Sequence, residues 1–131
     1  MDNEKYDIVQ PKDFFEPPTY VNAVRAGNML YLAGQVAFDK TGNVVSPRDA
    51  GAQARWIYKN ISAILKEAKA DWGNVVKIVT YLVDRGDAPA VTAARLEACG
   101  AYRPPHIGLI VAGLGTEEML VEVDVTAFIP S

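Results

Sequence analysis

The one histidine of this 131-residue chain is the first candidate for chemistry. His106 follows Pro104-Pro105 and opens an apolar run that continues to Leu114. Alternation along a strand places His106, Gly108 and Ile110 on one face. An imidazole that titrates near neutral pH is then next to a residue without a side chain. This combination suits a ligand pocket, although a strand-end histidine bonded to a neighbouring backbone group is the competing interpretation.

Two carboxylates near the carboxyl end form the second candidate. Glu122 and Asp124 share one face of a predicted strand over residues 120–129, about 7 Å apart. Paired carboxylates serve in general acid–base catalysis, but this spacing alone is a weak indication of it. The alternatives are a solvated strand residue for Glu122 and a salt-bridge or rim role for Asp124.

Three further side chains carry usable groups. Tyr20 lies in an alternating segment, where it either packs in the core or lines a cleft with its hydroxyl towards a ligand. Arg103 is the cation next to the histidine segment, and its alternative is a loop charge. Cys99 has no base adjacent in sequence, so simple buried packing is expected for it.

The first elements that must position these residues form a predicted hairpin. Residues 20–25 and 29–34 are β-rich, and Gly27-Asn28 between them is typical of a two-residue hairpin turn. A bent strand continues to Phe38, and residues 39–43 have turn chemistry. Residues 1–18 show no clear period and form a predicted irregular N-terminal arm, whereas residues 19–131 form one domain.

Two helices follow from the apolar spacing. Ser46, followed by Pro47, predicts the start of a helix. An apolar stripe from Ala50 to Ala68 predicts that this helix has about six turns. A second helix is predicted over residues 88–99, capped by Asp87 and ended by Gly100.

The remaining apolar runs predict the centre of a sheet. Residues 75–83 read as a central strand covered on both faces, and the run that begins at His106 reads as another buried strand. The chain is therefore predicted to be an α+β protein, with one mixed five- to six-stranded sheet and two helices on one face. Because two helices cover only one face, the other is expected to meet another copy in a closed homo-oligomer.

Composition excludes several classes of protein. The formal charge is −3, from 13 Lys and Arg against 16 Asp and Glu, without a basic cluster, so no nucleic-acid partner is expected. The longest apolar run is too short for a membrane span, and a single cysteine fits a reducing compartment, so a cytoplasmic protein without membrane contact is expected. One Cys and one His do not build a metal site by themselves.

Five blocks in order resemble the RidA reactive-intermediate deaminases, also called the YjgF family. The resemblance spans residues 17–128 and rests on a proline-tyrosine opening, a glycine-asparagine-strand-glycine-glutamine block, a central strand, the histidine strand and a closing acidic strand. These blocks occupy residues 18–24, 27–36, 74–84, 104–108 and 120–127.

This resemblance implies a chorismate-mutase-like fold and a homotrimer with ligand clefts between subunits. Members of the family hydrolyse imines and enamines to ketoacids and ammonia, without metal or cofactor. Others have been described as ribonucleases or ligand-binding proteins. The acidic balance of this chain argues against the ribonuclease role.

The chain departs from the family pattern where the substrate carboxylate is held. His106 occupies the position of the family's arginine, and a mostly neutral imidazole lacks the permanent charge and planar fork of a guanidinium. Gly108 stands where many relatives have cysteine, and Thr92 where asparagine often occurs. By resemblance, Glu122 orients or activates the attacking water, and the substrate-binding candidates are Tyr20, Gly34, Thr92, Arg103 and Gly108.

Two hypotheses follow. The first is an imine or enamine deaminase in which His106 and Glu122 act together at a seam between copies of the chain. The second is a trimeric ligand-binding or regulatory protein that has kept the cleft and lost the chemistry.

Overall fold

Six β-strands and two α-helices make up the part of the chain, residues 5–131, that the computed structural model describes. The strands are β1 (Asp7–Val9), β2 (Ala23–Ala26), β3 (Met29–Leu32), β4 (Val75–Leu82), β5 (His106–Ile110) and β6 (Val121–Phe128). The helices are α1 (Ala50–Glu67) and α2 (Ala88–Cys99), and single 3-10 turns lie at Trp72–Asn74 and Arg85–Asp87.

The strands form one mixed sheet in the order β1-β2-β3-β6-β4-β5. All neighbours are antiparallel except β4 and β5, which run parallel and are connected through α2. The α+β prediction of one mixed sheet with two helices is therefore confirmed. β6 lies in the centre between β3 and β4, so the acidic strand at the end of the chain has a neighbour on each side.

The amino-terminal half is more regular than predicted in one place and less regular in another. The arm assigned to residues 1–18 contains β1, which pairs with β2 through Val9 and Ala23, so the prediction of an irregular arm is wrong there; residues 1–4 lie outside the described part. The two-residue hairpin is confirmed, with Gly27 at φ +61°. Tyr20 lies in a turn before β2 rather than in a strand.

α1 begins later than its sequence pattern predicts. Asp49, not Ser46, is the N-cap, and its carboxylate accepts a hydrogen bond from the Ala52 amide at 2.9 Å. Ser46 adopts a left-handed φ of +46°, which removes it from the helix. The helix therefore has 18 residues, five turns rather than six. The predicted apolar stripe is confirmed, since Ile57 and Ile61 are fully buried.

α2 has the predicted bounds, but one of its caps differs. Gly100 ends the helix at φ +63°, a conformation that favours glycine. Asp87 occupies the N-cap position without a side-chain hydrogen bond to the helix. Neither helix in residues 5–131 is long and apolar enough to span a membrane.

The helices cover one face of the sheet and form the core with it. On β6 this face consists of Val121, Val123, Val125 and Ala127, all with 0% exposure, as the alternation predicts. On β4 the buried partners include Ile78 and Leu82. Burying an aliphatic side chain of this size contributes about 1.5–3 kcal/mol.

The opposite face is open in the single chain. Within the single chain β4 is covered on the helix side only, and Val76 is exposed, so the second face expected to be covered is left for another copy of the chain. β5 is an edge strand whose Ile107, Leu109 and Ile110 are 41–46% exposed, so its buried assignment was also wrong. An apolar run looks the same in sequence whether its cover comes from its own chain or from another.

Candidate functional site

His106 opens β5 and is held by a threonine on the neighbouring strand. Ile78 is its register partner on β4, so its side chain lies on the helix-covered side of the sheet. The Nε2 atom lies 2.8 Å from the Thr80 hydroxyl oxygen, a hydrogen bond whose direction depends on the ring tautomer. Because Thr80 is itself buried, it fixes the orientation of the ring and leaves Nδ1 as the nitrogen available for other partners.

The surroundings of His106 favour its neutral form. Partial burial lowers its pKa, and the positive charge of Arg95 on α2 lowers it further. Within residues 5–131 the buried Tyr58 hydroxyl has no hydrogen-bond partner; burial raises the pKa of this phenol, and the neighbouring Thr80 side chain acts in the opposite direction. At neutral pH the imidazole of His106 is therefore uncharged. It lies next to Thr80, which forms a small buried polar cluster with Tyr58.

Gly108 leaves space beside the imidazole. It is the register partner of Thr80, so it faces the same side of the sheet as His106. A Cβ placed on Gly108 would lie 3.4 Å from the ring Cε1 atom. The absence of a side chain at this position keeps the edge of the ring uncovered.

A second cluster forms around Glu122 on the open face. A Cβ on residue 34 would overlap the Glu122 Oε2 atom and lie 2.9 Å from its Cδ, so the carboxylate rests directly on the Gly34 backbone. Tyr20 is near enough for the Glu122 charge to raise the pKa of its phenol, after burial. Three predicted residues, Glu122, Gly34 and Tyr20, are thus brought together within one chain.

The Glu122 cluster makes the carboxyl a stronger base than an ordinary glutamate. Burial raises the pKa of Glu122, and the Asp124 charge two residues along β6 raises it further. Burial also raises the pKa of Asp124. A half-buried carboxylate of raised pKa is suited to take a proton from water.

His106 and Glu122 lie on opposite sides of the sheet. Glu122 pairs with Tyr81 on β4, whereas His106 pairs with Ile78, an odd number of residues away. Because side chains alternate along a strand, these two partners face opposite ways. One chain therefore does not bring the two predicted catalytic groups into one site.

Two predicted substrate-binding residues lie elsewhere. Arg103 is exposed, and its Nη1 atom donates to the carbonyls of Gly100 and Tyr102, so in the single chain this guanidinium holds the segment after α2. Thr92 lies on α2, one turn before Arg95, and is partly buried.

Sequence reasoning missed Arg95 and Thr80. Arg95 is half-buried, and among the described residues it makes no side-chain hydrogen bond or ion pair, yet its charge reaches His106. The available signal was the connection from β4 through α2 to β5, which lays the helix against the sheet near the start of β5. Thr80 lies within an apolar run, so its sequence context predicts only a buried strand residue. Its hydrogen bond to His106 becomes apparent only from the register of β4 with β5.

Acids, thiols and imidazoles do not gather into a metal site in the part of the chain that the structure describes. Across residues 5–131, no group of three or more His, Cys, Asp or Glu side chains is placed to hold a metal ion. The chemistry that the two clusters offer is proton transfer and hydrogen bonding.

The six-stranded mixed sheet with two helices on one face defines the class of protein to which this chain belongs: it is the fold of solved RidA structures. RidA from an Antarctic Psychrobacter superposes with a TM-score of 0.85 at 27% identity, covering 94% of this chain and 99% of that one.

Comparison of sequences gives the family. Residues 16–129 match Endoribonuclease L-PSP, and the chain belongs to this family. A RutC family protein of Pyrococcus horikoshii is 34% identical over 110 residues, 83% of this chain and 86% of the relative. The 3-aminoacrylate deaminase RutC of Acinetobacter baylyi is 30% identical over 118 residues, 89% of this chain and 93% of the relative.

Proposed function

We propose that this protein is a hydrolase of the imine or enamine deaminase type, with its active site between two chains of a homotrimer. The observation that supports this most directly is the Glu122 cluster. A carboxylate of raised pKa lies over the bare backbone of Gly34, next to a phenol, on an open sheet face. The deaminase named among the relatives is consistent with this chemistry.

The reaction follows from the roles that these groups can take. Glu122 accepts a proton from water as the water oxygen bonds to the C=N carbon and the C=N π pair moves to nitrogen. Neutral His106 donates a hydrogen bond to that nitrogen, which takes up the proton held by Glu122. Glu122 then accepts the hydroxyl proton of the amino alcohol and passes it to the amino nitrogen as the C–N bond breaks, so that ammonia leaves a carbonyl product. Because water is the only co-reactant, the step balances without an oxidant or reductant.

A second copy of the chain is needed to complete this site. His106 and Glu122 face opposite sides of one sheet, so Glu122 of one chain must meet His106 of another. The open face provides apolar surface for such an assembly, since Tyr31 is 48%, Phe128 43% and Leu109 44% exposed. Large exposed apolar patches of this kind mark interaction surfaces. We assign this face to the homotrimer contact.

The substrate is expected to differ from the small 2-imino acids. A neutral histidine gives one directional hydrogen bond where a guanidinium gives a charged, bidentate grip on a carboxylate. His106 is held neutral by burial and by Arg95. A ring imine or a catabolic enamine therefore fits this site better than a substrate that depends on a carboxylate clamp.

Ammonia release provides the test. Purified protein is incubated with a panel of cyclic imines and freshly generated enamines, and ammonia is followed with a coupled dehydrogenase. Glu122→Gln and His106→Ala should each lower kcat/KM at least about tenfold. Glu117→Gln, in the exposed loop before β6, is the matched acid-to-amide control and should keep the rate. Unchanged turnover in His106→Ala would remove the imidazole from the mechanism.

A non-catalytic ligand-binding or regulatory protein is the second candidate. It is favoured by the hydrogen bond between Thr80 and His106, which commits one ring nitrogen to the protein itself. This candidate predicts a bound metabolite without turnover, and no activity when His106→Arg restores the family's residue. Ammonia release from any panel compound that depends on Glu122 would exclude it.

The assembly has its own measurement. Sedimentation velocity at micromolar concentration should show three chains, and Leu109→Arg should shift the population to single chains because it places a charge on the apolar face. A wild-type protein that sediments as one chain would contradict the shared site.

The single cysteine, Cys99, fits the reducing cytoplasm in which we place the protein.

A further inference from the structure

A cavity of about 410 Å³ lies away from the two clusters, between the N-terminal segment, the loop after β3 and α1. Four aromatic side chains form one of its walls. Phe15 and Phe38 meet edge to face with ring centroids 5.0 Å apart, and Phe14 and Trp56 complete the wall. The Trp56 indole N–H already donates to the Phe38 carbonyl at 2.7 Å, so this wall offers ring surface rather than a free donor.

The polar lining of the cavity includes the side-chain amides of Asn22, Gln35 and Asn60. Gln35 lines it and is only 6% exposed. Its amide nitrogen donates to Asn22 Oδ1 at 3.4 Å and to the Ala33 carbonyl at 3.1 Å. Asn22 in turn donates to Gln10 Oε1 and the Phe15 carbonyl, both at 2.9 Å. Within residues 5–131 no donor to Gln35 Oε1 is found, so this oxygen in the cavity wall is available to a ligand.

Charges near the cavity are committed elsewhere or lie at its mouth. The Asp39 carboxylate accepts from the backbone of Thr41 and Asn43 and from the Thr41 hydroxyl, at 2.7–3.0 Å. These hydrogen bonds, led by the Thr41 side chain, hold the pKa of Asp39 low. Asp13 and Lys40, which also line the cavity, are exposed to solvent. The interior therefore contains no free charge to balance that of an ionic ligand.

The cavity also lies on the other side of the sheet from Glu122. Gln35 pairs with Val123, whose side chain is in the core, and Trp56 and Asn60 belong to α1. Its volume falls in the range of small-molecule sites, which combine apolar walls with a few fixed polar groups. An acceptor that loses its contact with water when a ligand binds costs free energy unless the ligand supplies a donor.

We propose that this cavity is a second binding site, separate from the deaminase site, for an uncharged planar aromatic molecule that carries one N–H or O–H donor. The ring lies against Phe14, Phe15, Phe38 and Trp56, and the donor bonds to Gln35 Oε1. A molecule of the same shape without the donor leaves that oxygen unpaired and binds more weakly.

Indole and benzofuran provide a matched pair of probes, because a ring oxygen in benzofuran replaces the indole N–H. Each is titrated into the full-length protein while the ¹H–¹⁵N signals of the Gln35 side-chain amide and the Trp56 indole are followed. Indole should saturate at one molecule per chain and shift both signals. Benzofuran should bind at least about tenfold more weakly. Equal affinities, or no saturable shift with either compound, would overturn the proposal.

Two variants locate the site. Gln35→Met should weaken indole about tenfold and bring the two probes to similar affinity, because the acceptor is gone. If this variant does not fold, Asn60→Trp fills the cavity from α1 and should abolish the shift of the Gln35 signal. Glu122→Gln should leave indole affinity unchanged. Loss of indole binding in Glu122→Gln would place the probe in the other cluster and overturn the assignment.

Discussion

Replacement of Gly34 by alanine tests the Glu122 cluster with one methyl group. The backbone of Gly34 does not have a positive φ, so alanine fits its conformation. The new Cβ would lie 2.9 Å from Glu122 Cδ and overlap its Oε2. An ordinary carbon–carbon contact is about 3.5–4.0 Å, so the carboxylate must retreat by roughly 1 Å.

The expected effects on stability and activity differ strongly. The carboxylate ends a flexible side chain, so its movement costs about 0.5–1.5 kcal/mol if the rotamer is strained. The loss of glycine entropy in the unfolded chain offsets this cost by about 0.4–1 kcal/mol. The free energy of unfolding should therefore change by less than about 1 kcal/mol. A displacement of 1 Å at a reacting group lowers kcat/KM by up to about 100-fold.

The assay combines urea unfolding with ammonia release from the best imine or enamine substrate. Gly113→Ala is the matched control, because nothing lies within 4 Å of a Cβ at that position, and it should keep both stability and rate. Full activity in a folded Gly34→Ala protein would show that the placement of Glu122 over Gly34 does not matter for turnover, and would refute the role given to this cluster.

Three further predictions concern single charges and the core. Arg95→Gln should raise the pKa of His106, because a cation that disfavours the protonated ring is removed. NMR signals of the ring protons, followed against pH, measure this pKa. An unchanged titration midpoint would contradict the electrostatic effect of Arg95 on the ring. Asp124→Asn should lower the pKa of Glu122 and move the acidic limb of the kcat/KM profile to lower pH, since a like charge is removed; an unmoved limb would assign that limb to another group. Ile61→Ala should lower the free energy of unfolding in urea by about 2–5 kcal/mol because Ile61 is fully buried. A smaller loss would indicate that α1 moves to fill the space left by the removed side chain.

Local patterns predicted the parts of the fold that depend on neighbours in sequence. The turn at Gly27, the stripe of α1 and the alternation of β6 follow from backbone preference and from contact with one continuous core. Ser46 shows the limit of such signals. Its capping pattern was sound, but Gln53 of α1 donates to the Ser46 carbonyl and to the Glu118 carbonyl before β6, which ties the segment to the fold outside the helix.

The geometry of the candidate site could not be predicted in the same way, because it depends on contacts between segments that are distant in sequence. His106 and Glu122 were both found as candidates from their chemistry, but their faces became visible only through the registers of β4 with β5 and β6. Arg103 is the neighbour of His106 along the chain, whereas Arg95 is the cation whose charge reaches the ring. Proximity in sequence was therefore a poor guide to the electrostatics, because α2 folds back over the sheet.

β5 lies at the edge of the sheet, where a single chain is open to strand addition by other polypeptides. Residues 106–110 contain no lysine, glutamate or proline that would discourage strand addition, and β1 at the other edge is only three residues long. An uncharged edge of this kind templates irregular pairing between polypeptides. We therefore expect a lysine or glutamate introduced into β5 to reduce pairing between unassembled chains.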